Sequence, residues 1–284
     1  MQFIDVNAPA LPQGSLVNVP LQQRRPYPQW GPVQTWAPIG YARYNAFTAS
    51  LKNREWHGLS LTVNFTWAKG IVSSDFGFSD EGQTNFRDPY MYAGSSPVVP
   101  GKFFVTGYSY ELPFGQGRAF ARSLNPVLNQ LVTGWLVSGI TTFSTGSPQP
   151  VMTFDESNTG QGISTFNLVP GCNPSGVPGG KNRFEWFNAS CFVTPPFGTY
   201  GNSRLGAITE PGINNWDISL NKLTHVGFPK ETGTVEIRVD AFNAFNHTQW
   251  GPPCENFASC GPLFGQISST RDPRILQLGA RYRF

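Results

Sequence analysis

The chain closes on a run of strict two-residue alternation. Over Arg274–Phe284 (RILQLGARYRF), Leu276, Leu278, Ala280, Tyr282 and Phe284 share one face of an extended strand. Gln277, Gly279, Arg281 and Arg283 share the other. In a soluble sheet, a terminal strand carrying two aromatics at its outer end would be an exposed, adhesive edge. In a barrel that crosses a bilayer, the same strand puts its apolar face on lipid, its polar face on the lumen and its last aromatics at the interface.

Composition agrees with a wall rather than a globule. Charged residues make up 13% of the 284 residues, about half the share in ordinary soluble domains. Aromatics reach 14%, and 31 glycines with 25 prolines imply many turns and long loops. No apolar stretch approaches the roughly 18 residues of a spanning helix, and mean hydropathy is −0.25. Barrels escape such a scan because only alternate residues meet lipid. A net charge of +3 without a Lys/Arg cluster argues against nucleic acid as a partner. The N-terminus, MQFIDVNAPALPQG, lacks the basic and apolar regions of a signal peptide. A barrel must be exported, so this implies a C-terminal fragment of a longer product.

Strands follow from the alternation. The candidates are Tyr41–Leu51, His57–Val72, Lys102–Leu112, Thr133–Phe143, Asn215–Val226, Thr234–Phe245 and the tail. His57–Val72 is the cleanest internal one, with Leu59, Leu61, Val63, Phe65 and Trp67 against Ser60, Thr62, Asn64 and Thr66. The connections alternate in length: Lys52–Trp56 is short, Ser73–Gly101 long, Pro113–Val132 intermediate, Ser144–Asn214 very long, Gly227–Gly233 short and Thr248–Pro273 long. This parity is expected of outer-membrane barrels, whose surface loops are long and periplasmic turns short. Seven strands fall short of the even number, eight or more, of a closed bacterial barrel. The first forty residues, rich in Pro and Gly, read as loop with at most a partial strand. The fold expected is all-β, an antiparallel transmembrane β-barrel seen in part.

Cys172, Cys191, Cys254 and Cys260 all lie in the long-loop class. None has metal-ligand spacing, and an even count in polar loops suggests two disulfides formed in an oxidising compartment. Four cysteines allow three connectivities. Cys172–Cys191 with Cys254–Cys260 is preferred because it closes the shortest loops.

Several phrases stand in a telling order. They are Tyr44–Leu51 leading into HGLSLTVNFTWAKG, then GYSYELPFG, GWLVSGITTFSTGSP, CNPSG with WFNASCF, and PPFGTYGN. PGINNWDISLNK, EIRVDAFNAFNHTQW, FGQISSTRDPR and the RYRF terminus follow. Together they resemble the C-terminal barrel of the Oar-like TonB-dependent receptors, a family abundant in Acidobacteria whose members often carry a carboxypeptidase-regulatory-like domain. The resemblance covers nearly everything after Tyr41. It divides the chain into residues 1–40, a surface loop with a partial strand, and 41–284, the C-terminal part of the barrel. It implies a barrel of about 22 strands with a plugged lumen, and substrate uptake driven through TonB. Ferric siderophore, oligosaccharide and peptide all remain open as substrate. The plug, the TonB box and more than half of such a barrel are missing here. Gly279-x-x-Tyr282-x-Phe284 resembles the C-terminal signal read by the barrel assembly machinery.

Little points to chemistry. His57, His225 and His247 are scattered and sit in no nucleophile motif, so no enzyme activity, cofactor or metal is expected. Asp75, Asp80, Glu81 and Asp88 share one loop with Phe76, Phe78 and Phe86, which reads as a solvated loop before a cation or sugar site. Asp155-x-x-Asn158 lacks the carboxylates of a calcium loop. Sequons at Asn64, Asn188 and Asn246 arise readily by chance. Glu236, Arg238 and Asp240 alternate on one lumen face opposite Arg281 and Arg283, a pattern suited to pairing across strands. The expected partners are outer-membrane lipid, the assembly machinery, a plug and TonB. The rival readings are a small self-contained barrel with a structural or adhesive role, and a soluble carbohydrate-binding β-protein.

Overall fold

A computed structural model of the chain describes residues 2–73, 88, 90–160, 163–226 and 233–284. Seven long strands dominate it: β1 (Ala42–Trp56), β2 (Leu59–Val72), β3 (Lys102–Glu111), β4 (Trp135–Ser144), β5 (Ile213–His225), β6 (Thr234–Phe242) and β7 (Ile275–Arg283). They form one antiparallel meander in which each pairs with its sequence neighbours. A two-residue strand, Gly94–Ser95, adds to the far end of β2. Among the described residues β1 and β7 pair on one side only, so the sheet is open. No helix among them is long and apolar enough to cross a membrane, which says nothing about crossing by strands.

The register carries one apolar face across the whole wall. Leu51, Val63, Thr106 and Thr141 stand in one row, and Trp216 continues it. A second row runs Leu59, Tyr110, Val137, Leu220, Val239 and Leu278. A slip of one residue through a whole pairing would turn an entire strand inside out; the shift that does occur, between Asn53 and Trp56, falls at the end of β1. The opposite face holds Thr62, Asn64, Ser109, Ser138, Asp217, Ser219, Arg238, Asp240 and Gln277. Along β6 and β7 the apolar face is uncovered: Leu278 is 79% exposed, Leu276 65% and Ile237 51%. In water so broad an uncovered patch would drive association. Against lipid it is the ordinary outer surface of a barrel.

The first strand differs from its expected bounds. Lys52–Trp56 is not the turn; β1 runs through it to Trp56, with an irregularity between Asn53 and Trp56. The turn is His57–Gly58 alone, both with positive φ (51° and 82°). A two-residue hairpin of this kind matches the twist of its strands and suits glycine at the second position. A single Gly after the strand therefore suffices, and the pairing extends to Trp56 against Leu59. At the N-terminus, Gln2–Asp5 pairs with Gln34–Ala37 as a separate ribbon, not as part of the wall.

The hydrophobic core lies outside the wall. Val151, Phe166, Phe187, Cys191, Phe192 and Ile208 form a buried cluster in the connection between β4 and β5, with Phe264 of the β6–β7 connection packed against it. Edge-on ring contacts join Phe187 to Phe264 (5.2 Å) and to Phe192 (5.6 Å), a geometry favoured by the ring quadrupoles. Backbone bonds from Trp186 N to Gly265 O and from Ile267 N to Arg183 O, each 2.8 Å, knit the two connections. The N-terminal segment joins them, Arg24 Nη2 donating to Asn158 O at 2.8 Å. Residues 92–95 join too, through Leu205 N to Tyr92 O and Ser95 N to Leu205 O, each 3.1 Å. The long connections thus fold as one module at one end of the wall. The His57–Gly58 turn and the β3–β4 connection lie at the other.

Candidate functional site

The wall curls, and its polar face encloses a cavity of about 800 Å³ bordered by residues of β1 through β6. Its charged members are Lys52, Arg54, Asp217, Arg238 and Asp240, set among Ser60, Thr62, Ser109, Ser138 and Ser219. The placement of Lys52, Asp217, Arg238 and Asp240 follows from period two: each is one residue away from an apolar neighbour on the outer face. Asp240 stands opposite Ser219, accepts a hydrogen bond from its hydroxyl, and binds Arg238 Nε at 2.8 Å. Arg283 reaches Glu236 across the β6–β7 pair at 3.5 Å. Of the ion pairs expected across strands, this one crosses; Arg238 turns instead to Asp240 on its own strand.

A second cavity of about 710 Å³ lies between the top of β5–β6 and the β6–β7 connection, and shares Asp217 and Phe242 with the first. Arg271 and Asp272 are among its lining residues. The two cavities therefore meet at Asp217 and Phe242, and polar side chains border both, forming a track between the loop module and the hollow of the wall. Its waist is built from two stretches of sequence. Asp217 Oδ1 accepts from Asn243 N at 2.9 Å, and Gln249 Oε1 accepts from Asn214 N at 2.9 Å, with Gln249 Nε2 returning a bond to Asn214 O. Asn243 holds the turn by bonds to and from His247, at a φ of 47° that asparagine tolerates better than most residues. The sequence singled out the stretches NNWDIS and NAFNHTQW but assigned them no role. Their joint polar composition at strand ends was the available signal.

The module carries the cysteines. Cys172 and Cys191 have Cα atoms 5.4 Å apart, and Cys254 and Cys260 6.3 Å apart, both inside the range a disulfide spans. Both pairs are bonded, in the local connectivity. Burial pushes the Glu210 carboxyl above the usual range, although Gln149 Nε2 donates to it at 3.0 Å and Arg271 lies near. Burial pushes Glu255 up as well, and the charge on Glu210 adds to the rise. A raised folded-state value means that the stability these groups give is full below the ordinary glutamate value of 4.5 and is lost as pH climbs through the raised one. Glu255→Gln is therefore expected to raise the module's melting temperature at neutral pH and to leave it unchanged below that ordinary value. Near-UV circular dichroism melts at both pH values check this; an equal shift at both would contradict it.

The tail residues fall where the alternation puts them. The Tyr282 and Phe284 rings stack at 5.9 Å on the apolar face, at the end of the wall away from the module. Gly279 faces the polar side opposite Arg238, and a Cβ there would meet only Arg238 Cβ at 3.9 Å, ordinary contact. Gly279→Ala is thus expected to leave the wall's register and stability unchanged. Were assembly in cells to fall while the refolded protein stayed normal, the glycine would be needed for recognition and not for packing. Refolding yield measured beside outer-membrane yield separates the two.

The structure brings no histidines together. His57 and His225 lie near the short-turn end and His247 at the module. Asp155 Oδ1 accepts from Ser157 Oγ, Thr159 N and Thr159 Oγ1, and Oδ2 from Gly160 N, so its carboxylate closes its own turn. Asn188 likewise caps the turn at Ser190. Asp75, Asp80, Glu81, Phe76, Phe78 and Phe86 lie outside the described residues. Among the described residues no group of three His, Cys, Asp or Glu is placed to hold a metal ion.

No curated protein and no solved structure matches the chain. A family model, described as outer membrane beta barrel domain, matches residues 1–277. The chain therefore belongs to the outer-membrane β-barrel domain family, and its place is the cell outer membrane.

Proposed function

We propose that this chain supplies wall strands and surface loops of a TonB-dependent outer-membrane receptor, a transporter that takes up its substrate actively on energy relayed by TonB. The observation that carries the reading is the curled seven-strand wall, both edges unpaired among the described residues, with a polar track between a folded surface module and its hollow. Seven strands with two open edges suit part of a wider circumference, and the resemblance of the strand and loop phrases to Oar-like receptors supports about 22 strands. The plug and TonB box would lie outside these 284 residues. The mixed charges and hydroxyls along the track suit a hydrophilic substrate, held by the surface loops together with the plug. The chain carries no catalytic role in this reading. Its tail, through Tyr282 and Phe284, is what the barrel assembly machinery would read.

The test is the DNA immediately upstream of the Met1 codon in the source replicon. An open frame running back through further alternating strands to a plug is the expected result. A stop codon followed by a signal peptide and no plug would overturn the transport reading and favour a small self-contained barrel with a structural or adhesive role.

A further inference from the structure

The β3–β4 connection carries a helix, Pro126–Val132. The helix is well specified locally: Asn125 caps it by accepting from Leu128 N at 2.8 Å, and proline opens its first turn. Yet it buries none of its residues. Val127 is 70% exposed, Leu131 62% and Leu128 47%. The same connection exposes Phe114 and Phe120, whose rings meet at 5.9 Å.

Two contacts fix where the helix sits. Trp135 Nε1 donates to Leu131 O at 2.9 Å. Lys222 Nζ donates to Gln130 O at 2.8 Å and also to Thr133 O. Trp135 and Lys222 stand opposite each other, in the rows that face outward on β4 and β5. The helix end is therefore tied to the apolar side of the wall, at the end where Trp56, Tyr110, Tyr282 and Phe284 lie. A lysine on a lipid-facing row is costly unless its charge finds partners. Here the last carbonyls of the helix supply them, where the helix dipole favours a cation. Arg118 and Arg122 are exposed on the same connection.

We infer that this connection is an interfacial anchor, lying in the phospholipid headgroup zone of the periplasmic leaflet, with its apolar side chains extending the wall's lipid-facing band. Two features argue for this occupant. The exposed leucines continue directly from the aromatic end of the apolar face, and Arg122 complements phosphate, one arginine near an anionic surface strengthening attachment roughly fivefold; Arg118 is already paired with Glu111 at 2.5 Å. The inference rests on the membrane-barrel reading and goes beyond it, since a periplasmic turn needs no lipid contact to join two strands.

The test uses methyl-labelled protein assembled in phospholipid nanodiscs. A nitroxide on the lipid headgroup is expected to broaden the Val127, Leu128 and Leu131 methyls several-fold more than a water-soluble gadolinium chelate does. The double variant Leu128→Asp with Leu131→Asp is expected to reverse that order for Val127 while leaving the wall methyls unchanged. Methyls broadened chiefly by the chelate would overturn the inference. So would methyls shielded from both reagents, which would mean a protein partner instead. The Leu278 methyls, read with a nitroxide in the acyl chain, are the control: if they do not broaden, the barrel reading itself fails.

Discussion

Leu278→Arg is expected to abolish assembly of this wall in the outer membrane, while Gln277→Arg, one residue away, is tolerated. Leu278 lies midway along β7 on the outer face and is 79% exposed. An arginine near the bilayer midplane costs about 2–4 kcal/mol, a large part of the 5–15 kcal/mol by which folded proteins are stable. Gln277 faces the polar hollow directly opposite Asp240, where a cation meets a carboxylate. Deleting Phe284 should give the same loss as Leu278→Arg by another route, since it removes the last ring of the apolar face and the terminal residue of the proposed assembly signal. Heat-modifiable mobility of the full-length protein on a gel reads all three. Normal mobility for Leu278→Arg would mean that this face does not meet lipid.

Phe187→Ala is expected to unfold the surface module and spare the wall. Phe187 is 1% exposed and touches Phe192 and Phe264 edge-on, so it joins the two long connections through one ring. Truncating a buried phenylalanine to alanine costs about 3–5 kcal/mol. Hydrogen exchange should rise at the Trp186 and Ile267 amides, which knit the two connections, with the β5–β6 amides unchanged. A module that kept its protection would show that the two connections do not depend on this core. Exchange rising equally in the wall would show that module and wall unfold as one.

Much of the wall was legible because period-two alternation is a local property. Each of the seven strands could be read from its own residues, and the loop parity gave their sequence without any contact information. The first turn was misplaced because Lys52–Trp56 looks polar enough for a loop, whereas the backbone needed only His57–Gly58 to reverse. Polarity on one face of a barrel strand is indistinguishable, in sequence, from polarity in a turn. The surface module was not legible at all. Val151, Phe166, Phe187 and Phe264 are spread over two connections with no periodicity, and only the folded chain brings them together. The polar track was hidden for the same reason: Asp217 and Asn243, or Asn214 and Gln249, meet across strands. The helix carbonyls that hold Lys222 belong to a connection that sequence alone read only as intermediate in length.

Both cysteine staples stay within a single connection, Cys172–Cys191 between β4 and β5 and Cys254–Cys260 between β6 and β7. Oxidation therefore ties no strand of the wall to a strand from another hairpin. A cell can close these bonds at any moment after export without trapping the polypeptide in a tangle that could no longer spread into a sheet. The reverse also holds, since an unoxidised chain loses none of its strand pairings. Thiol chemistry and membrane insertion are thereby left free to proceed in either order.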